Sequence, residues 1–120
     1  MNVLIVQSDT ALGGIWQRHM QRQGLSVTLA AGQDAAIAAL RAQDYEVLVL
    51  DLVLRDGSAL AVADFASYRR PEARVVFVTN TSFFSDGSIF SICANAQAFL
   101  QADMPPEDLT AMVAHYGARG

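Results

Sequence analysis

The chain has 120 residues, with twelve acidic side chains against eight basic ones and a formal net charge of -4. All eight basic residues are arginine, which excludes chemistry that needs a lysine amine, such as a Schiff base or a phosphate-loop lysine. The acidic balance argues against a nucleic-acid partner, because counterion release requires clustered cations. A hydrophobic fraction of 52% predicts a globular protein, and the length fits one domain over residues 1–120.

The sequence also predicts a cellular setting. No apolar run approaches the roughly 20 residues that a membrane helix needs, so we expect no membrane partner. The first residues lack the features of a signal peptide, and the single Cys93 has no second cysteine for a disulfide. These features predict a cytoplasmic protein.

Short apolar runs predict strands, and helical spacing appears in the segments between them. Most of the runs are continuously apolar, which is typical of strands covered on both faces of a parallel sheet. The second run alternates apolar and polar residues, which places it nearer an edge. In chain order the sequence predicts a strand at Val3–Val6, a helix at 12–20, a strand at Leu25–Leu29, a helix at Asp34–Ala42, a strand at Val47–Leu50, a helix at Ser58–Ser67, a strand at Val75–Val78, a helix at Ser85–Ala94, a strand at Ala98–Leu100 and a helix at Pro106–Tyr116.

The first helix has the clearest signals. We expect Asp9 to cap its start and Gly24 to end it, since short polar residues satisfy the first amides and glycine tolerates the left-handed turn after a helix. The spacing of its apolar residues predicts one buried stripe. The stripe comprises Leu12, Ile15, Trp16, His19 and Met20.

Five alternations of strand and helix predict an α/β fold, a doubly wound five-stranded parallel sheet of (βα)5 type with helices on both faces. In such folds ligands bind beyond the carboxyl ends of the strands. Asp51 directly follows the third predicted strand, and Thr79 follows the fourth. These two residues are therefore candidates for a functional site.

This pattern resembles the receiver domain of bacterial response regulators, the CheY-like superfamily with its flavodoxin-like architecture. The resemblance covers essentially the whole chain and implies a role for three residues. Asp51 stands at the phosphoacceptor position, Thr79 at the switch hydroxyl and Phe99 at the switch aromatic. The Asp56–Gly57 pair falls where the family opens its third helix.

The departures from the receiver pattern all concern charge at the site. Receivers carry an acidic pair after the first strand, which holds Mg²⁺, whereas here Gln7 and Ser8 follow that strand and Asp9 comes one position later. The position of the family's lysine is Ala102. Arg55 replaces the proline that is usual four residues after the phosphoacceptor.

These losses predict a weak phosphorylation site. Enzymes and receivers transfer phosphoryl groups almost entirely by positioning them among cations. Mg²⁺ prefers octahedral oxygen ligands, and Asp51, helped at most by Asp9 and the backbone carbonyl of Val53, is a poor host. We therefore expect no cofactor, with Mg²⁺ binding weak or absent, slow or absent phosphotransfer, and no catalytic residue.

The leading hypothesis is a receiver-type signalling module with a degenerate phosphorylation site. It would act by binding a protein partner, either a sensor kinase or a downstream effector, or by self-association. The surface implied by the resemblance comprises the fourth helix, fifth strand and fifth helix. Three phenylalanines fall in or near that surface, Phe83, Phe84 and Phe90.

Two other hypotheses remain open. In the first, Asp51 is phosphorylated by a histidine kinase, with Asp9 rescuing the metal. In the second, a flavodoxin-like domain binds a cofactor phosphate at the start of the first helix. The residues that suggest this second hypothesis are Ser8, Thr10, Gly13 and Gly14.

Overall fold

The computed structural model describes residues 1–79, 96–101 and 104–118, with the backbone alone for residues 96–99, 101 and 118. Five strands and four helices lie within these ranges. They are β1 (Asn2–Val6), α1 (Thr10–Arg22), β2 (Ser26–Ala30), α2 (Gln33–Ala42), β3 (Val47–Asp51), α3 (Ala59–Arg69), β4 (Arg74–Thr79), β5 (Ala96–Gln101) and the C-terminal helix α4 (Pro106–Ala118).

The strands form one parallel sheet in the order β2-β1-β3-β4-β5. The chain begins in β1, adds β2 on one side of it, and then crosses to β3 on the other side. The strand order therefore reverses between β1 and β3, which is the place where doubly wound sheets bind ligands. β2 lies at an edge, as its alternating sequence predicted.

Helices cover both faces of the sheet. On one face α1 and α4 bury Trp16 and Leu109 against strand residues, and on the other α2 and α3 bury Leu40 and Val62. These two apolar layers confirm the doubly wound α/β architecture. None of the helices described in the structure is long and apolar enough to cross a membrane.

The ends of α1 follow the sequence signals closely. The Asp9 carboxylate accepts a hydrogen bond from the Leu12 amide at 3.2 Å, as expected of an N-cap. After the helix, Gly24 has φ +90°, and its amide donates to the Gln21 carbonyl, while the Leu25 amide donates to the Met20 carbonyl. This pair of bonds is a Schellman motif.

The Schellman motif explains why the predicted start of β2 was wrong by one residue. We predicted a strand over Leu25–Leu29, and the structure has it over Ser26–Ala30. The Leu25 amide is used to close α1. Ser26 is therefore the first residue whose amide bonds to the neighbouring segment, donating to the carbonyl of Met1, just before β1, at 3.0 Å.

The predicted buried stripe of α1 was wrong at one position. Ile15 is 44% exposed, whereas Gly13, Trp16 and Met20 are buried. Gly13 lets the helix approach the sheet closely, because a Cβ there would lie 2.7 Å from the Leu29 side chain. The helix therefore turns Gly13 toward β2, and Ile15 moves to the margin.

The later elements agree with the predictions to within a few residues. α3 begins at Ala59 after Ser58, whose hydroxyl accepts from the Ala61 amide, and α4 begins at Pro106. The helix predicted over residues 85–94 lies outside the described residues, as do Phe83, Phe84 and Phe90.

Candidate functional site at the carboxyl edge of the sheet

The register of the sheet brings the residues after β1 next to the end of β3. Val6 pairs with Leu50, so Gln7 follows β1 at the level where Asp51 ends β3. An open cleft of about 290 Å³ lies at this edge. Its lining residues are Gln7, Ser8, Asp9, Leu12, Asp51, Val53 and Arg55. The structure therefore brings together most of the site residues predicted from the sequence.

Asp51 is half-buried at the mouth of this cleft. Its Oδ1 accepts a hydrogen bond from the Val53 amide at 2.9 Å, the local turn that aspartate side chains favour. The Leu52 amide donates to the Val78 carbonyl, which ties the start of the following loop to β4. One carboxylate oxygen of Asp51 is thus used to shape its own loop, and the Val53 side chain points outward, 64% exposed.

Gln7 is almost fully buried, with 2% of its surface exposed. Its Oε1 accepts from the Asp9 amide at 2.9 Å, and its Nε2 is a buried donor with no hydrogen-bond partner among the described residues. Since the oxygen must face the Asp9 amide, the orientation of the side-chain amide is fixed. The only Gln7 side-chain atom that can ligate a hard cation therefore already accepts one hydrogen bond, from the Asp9 amide.

Ser8 connects three loops through its hydroxyl. The Oγ donates to the Ala31 carbonyl at 2.9 Å and accepts from the Arg55 amide at 3.0 Å. Ala31 follows β2 and Arg55 lies in the loop after β3, so Ser8 joins both neighbours of β1. No sequence pattern predicts this contact, because both partners are backbone atoms.

Asp9 is exposed at the rim, where its carboxylate caps α1. This is the local role expected of it from the sequence. Within the described ranges, no group of three or more histidine, cysteine, aspartate or glutamate side chains is arranged to hold a metal ion. Mg²⁺ is usually bound through one or two carboxylates plus waters or phosphate oxygens. The lining of this cleft includes two carboxylates, those of Asp51 and Asp9, and the Asp9 carboxylate caps α1.

The remaining predicted positions are Thr79 in β4, Phe99 in β5 and Ala102 after β5. Thr79 is fully buried at the end of β4, one residue beyond the Asp51–Val78 pair of the sheet register. The backbone of Phe99 in β5 pairs with that of Phe77 in β4, and Ala102 lies outside the described residues. Thr79 thus lies on the strand next to that of Asp51, at the same carboxyl edge of the sheet.

A second set of loop contacts was not predicted from the sequence. The Gln33 amide donates to the Asp56 carbonyl at 3.1 Å, and the Gln33 Oε1 accepts from the Ser58 amide at 2.7 Å. These bonds join the start of α2 to the loop after β3. Gln33 belongs to no recognisable sequence motif, so its contacts with this loop are known only from the structure.

Comparisons with known proteins agree with this geometry. No family model matches the chain. It is similar to the photosynthetic apparatus regulatory protein RegA of Rhodobacter capsulatus, with 28% identity over 109 residues, 91% of this chain and 59% of RegA. The chain therefore spans about three fifths of the length of that relative.

Solved structures of response regulators have the same fold. A CheY-like receiver domain protein from Methanospirillum hungatei JF-1 matches with a TM-score of 0.88 and 24% identity, covering 98% of this chain and 94% of that one. A response regulator from Burkholderia pseudomallei with a phosphorylated aspartic acid, calcium ion and citrate matches with a TM-score of 0.83 and 21% identity, covering 98% and 69%.

The chain thus has the fold of the CheY-like receiver domain. Its sequence is similar to that of a regulatory protein, RegA, over most of the chain. The resemblance predicted from Asp51 and the strand pattern is confirmed.

Proposed function

We propose that the chain is a receiver-type signalling module of the two-component and phosphorelay lineage, with a degenerate phosphorylation site, and that it acts mainly by protein–protein interaction. The observation that carries this proposal is that the two polar side chains that follow β1 beside Asp51 are uncharged and form hydrogen bonds with backbone atoms. Gln7 and Ser8 bring no charge to the positions of the receiver acidic pair, and both bind backbone atoms. Asp9 supports the proposal because it caps α1.

The proposal includes a site without a resident cofactor and without a catalytic residue. An aspartate carboxyl receives a phosphoryl group only when positive charge offsets the phosphoryl oxygens. Arg55 at the rim is exposed, and its guanidinium differs in geometry from a compact ammonium. Mg²⁺ binding is therefore weak or absent, and phosphotransfer is slow.

The proposed docking surface is the face formed by β5, the C-terminal helix and the helix predicted over residues 85–94. That predicted helix would complete the five strand–helix units. The partner is a sensor kinase, a downstream effector or a second copy of the chain. Sedimentation of the purified chain over a range of concentrations tests the last of these.

Titration with Mg²⁺ tests the degenerate site, followed by amide NMR shifts near Asp51. Wild type is expected to show no saturable response at millimolar Mg²⁺, and beryllofluoride is expected to add none. The double variant Gln7→Asp/Ser8→Asp supplies two carboxylates beside Asp51, so it is expected to respond, and adding Asp51→Asn should remove that response. Saturation of the wild type below millimolar Mg²⁺ would contradict the proposal.

The closest alternative is a working receiver that is phosphorylated on Asp51 by a histidine kinase. The half-buried position of Asp51 in an open cleft favours it, since the carboxylate is accessible. Incubation with acetyl phosphate and Mg²⁺, followed by intact mass spectrometry, separates the two. A long-lived phosphoryl adduct that Asp51→Asn abolishes supports the alternative, and an unmodified wild type supports the degenerate site.

The two glycines that suggested a cofactor phosphate site are part of a helix that packs on the sheet. Gly13 and Gly14 lie inside α1, and Gly13 faces the side chains of Leu29 and Gln7 at close range. The geometry therefore favours the receiver-type module over a flavodoxin-like cofactor binder.

A further inference from the structure

The loop that carries Asp51 is held by a hydroxyl group. Ser8 Oγ accepts from the Arg55 amide at 3.0 Å and donates to the Ala31 carbonyl at 2.9 Å. A hydroxyl has one hydrogen to donate, and the Ala31 carbonyl receives it. Ser8 therefore fixes the loop after β3 to the loop after β2 with its donor and an acceptor lone pair both in use.

Further bonds hold the same loop on either side of Arg55. At its start the Asp51 carboxylate accepts from the Val53 amide at 2.9 Å. At its end the Asp56 carbonyl accepts from the Gln33 amide, and the Ser58 amide donates to the Gln33 side chain. Ser8 acts on the middle of this loop, where Arg55 lies between the two anchored ends.

We propose that Ser8 is a positioning residue that holds the Asp51 loop in one conformation without a divalent cation. This inference rests on the proposed function, in which the site needs no Mg²⁺. Ser8 and Arg55 are two of the departures from the receiver pattern, and they are the two ends of one hydrogen bond. Proline at position 55 would have no amide hydrogen to give, so the bond requires the departure at position 55.

The consequence is a rim that has the same shape with and without metal. In a site organised by a cation, removing that cation releases the loop that its ligands hold. Here the connection between the loops is internal to the chain. A partner that binds the rim formed by Ser8, Ala31 and Arg55 would therefore bind the same conformation at all Mg²⁺ concentrations.

Hydrogen–deuterium exchange of the Arg55 amide, measured by NMR on the full chain, tests the proposal. In wild type with EDTA we expect Arg55 to be protected, and millimolar Mg²⁺ should leave its exchange rate unchanged. Ser8→Ala should speed Arg55 exchange about fivefold, which corresponds to one neutral hydrogen bond of ~1 kcal/mol. Ser8→Thr keeps the hydroxyl and should restore slow exchange.

Ser58→Ala is the matched control. It removes a different hydroxyl from the same edge of the fold, one that caps α3 through the Ala61 amide. It should speed exchange at Ala61 and leave Arg55 protected, so a general loss of stability is distinguished from loss of the Ser8 contact.

Two results would overturn the role of Ser8. One is an Arg55 amide that is unprotected in metal-free wild type, and the other is equal Arg55 exchange in Ser8→Ala and wild type. A failure of the proposed function appears in a different measurement, as saturable Mg²⁺ binding by wild type. If wild type binds Mg²⁺ while Arg55 stays protected in EDTA, the degenerate site is refuted and the Ser8 contact stands.

Discussion

Gly57 offers a direct test of how the loop after β3 is built. Its φ of +93° lies in the left-handed region, and a Cβ there would collide with the side chain of Gln33. Gly57→Ala should therefore carry two costs. The left-handed backbone disfavours alanine by about 1–2 kcal/mol, and displacement of Gln33 from the Ser58 amide costs about a further 1 kcal/mol through the lost hydrogen bond.

Gly24→Ala provides the matched control for this substitution. Gly24 has nearly the same φ, +90°, but an added Cβ would meet nothing within 4 Å. The backbone cost is shared, so the difference between the two variants isolates the contact with Gln33.

We expect Gly24→Ala to lower the free energy of unfolding by about 1–2 kcal/mol and Gly57→Ala by about 2–3 kcal/mol. Chemical denaturation with urea, followed by circular dichroism, measures both. Equal losses in the two variants would refute the contact between Gly57 and the Gln33 side chain as a source of stability. If Gly57→Ala had the same free energy of unfolding as wild type, the left-handed turn at Gly57 would be refuted as well.

The remaining predictions concern α1. Asp9→Ala should lower the free energy of unfolding by about 1 kcal/mol because the Leu12 amide loses its cap, and Asp9→Ser should recover most of that loss, both measured by urea denaturation. Trp16 is 1% exposed, and its indole Nε1 is buried without a hydrogen-bond partner among the described residues. Trp16→Phe should therefore cost less than Trp16→Ala, which should lose about 3–5 kcal/mol in thermal unfolding; similar losses in the two would contradict this reasoning.

The fold was predictable because its signals are local and repeated. Continuous apolar runs such as Val47–Leu50 indicate strands buried on both faces, and alternation with helical segments restricts the topology to a parallel sheet. The order of the strands was not predicted from these signals, and the structure gives it as β2-β1-β3-β4-β5. The resemblance to the receiver domain, with its acidic pair after the first strand, predicted that Asp51 lies beside the residues after β1.

The errors arose where backbone atoms compete for the same role. The amide of Leu25 has two possible partners, the end of α1 and the neighbouring strand, and side-chain identity does not decide between them. Likewise, the apolar spacing that predicted a buried Ile15 takes no account of Gly13. The lack of a side chain at Gly13 determines how closely the helix packs against β2.

The site divides in the same way. The residues that line the cleft were predicted, since a strand end and a family pattern point to Asp51, Gln7 and Ser8. The destinations of their hydrogen bonds were not, because the Ala31 carbonyl and the Arg55 amide are backbone atoms common to every residue type. The loss of charge was visible in the sequence, and the contacts that replace it required the structure.

Because the core is divided into two layers, the fluorescence of a tryptophan in one layer reports on one side of the sheet. Trp16 is the single tryptophan, and it lies in the layer beneath α1 and α4. Its fluorescence will report events on that side of the sheet, whereas binding on the side of α2 and α3 will leave its emission largely unchanged. A ligand that quenches tryptophan emission would therefore reveal which half of the molecule it occupies.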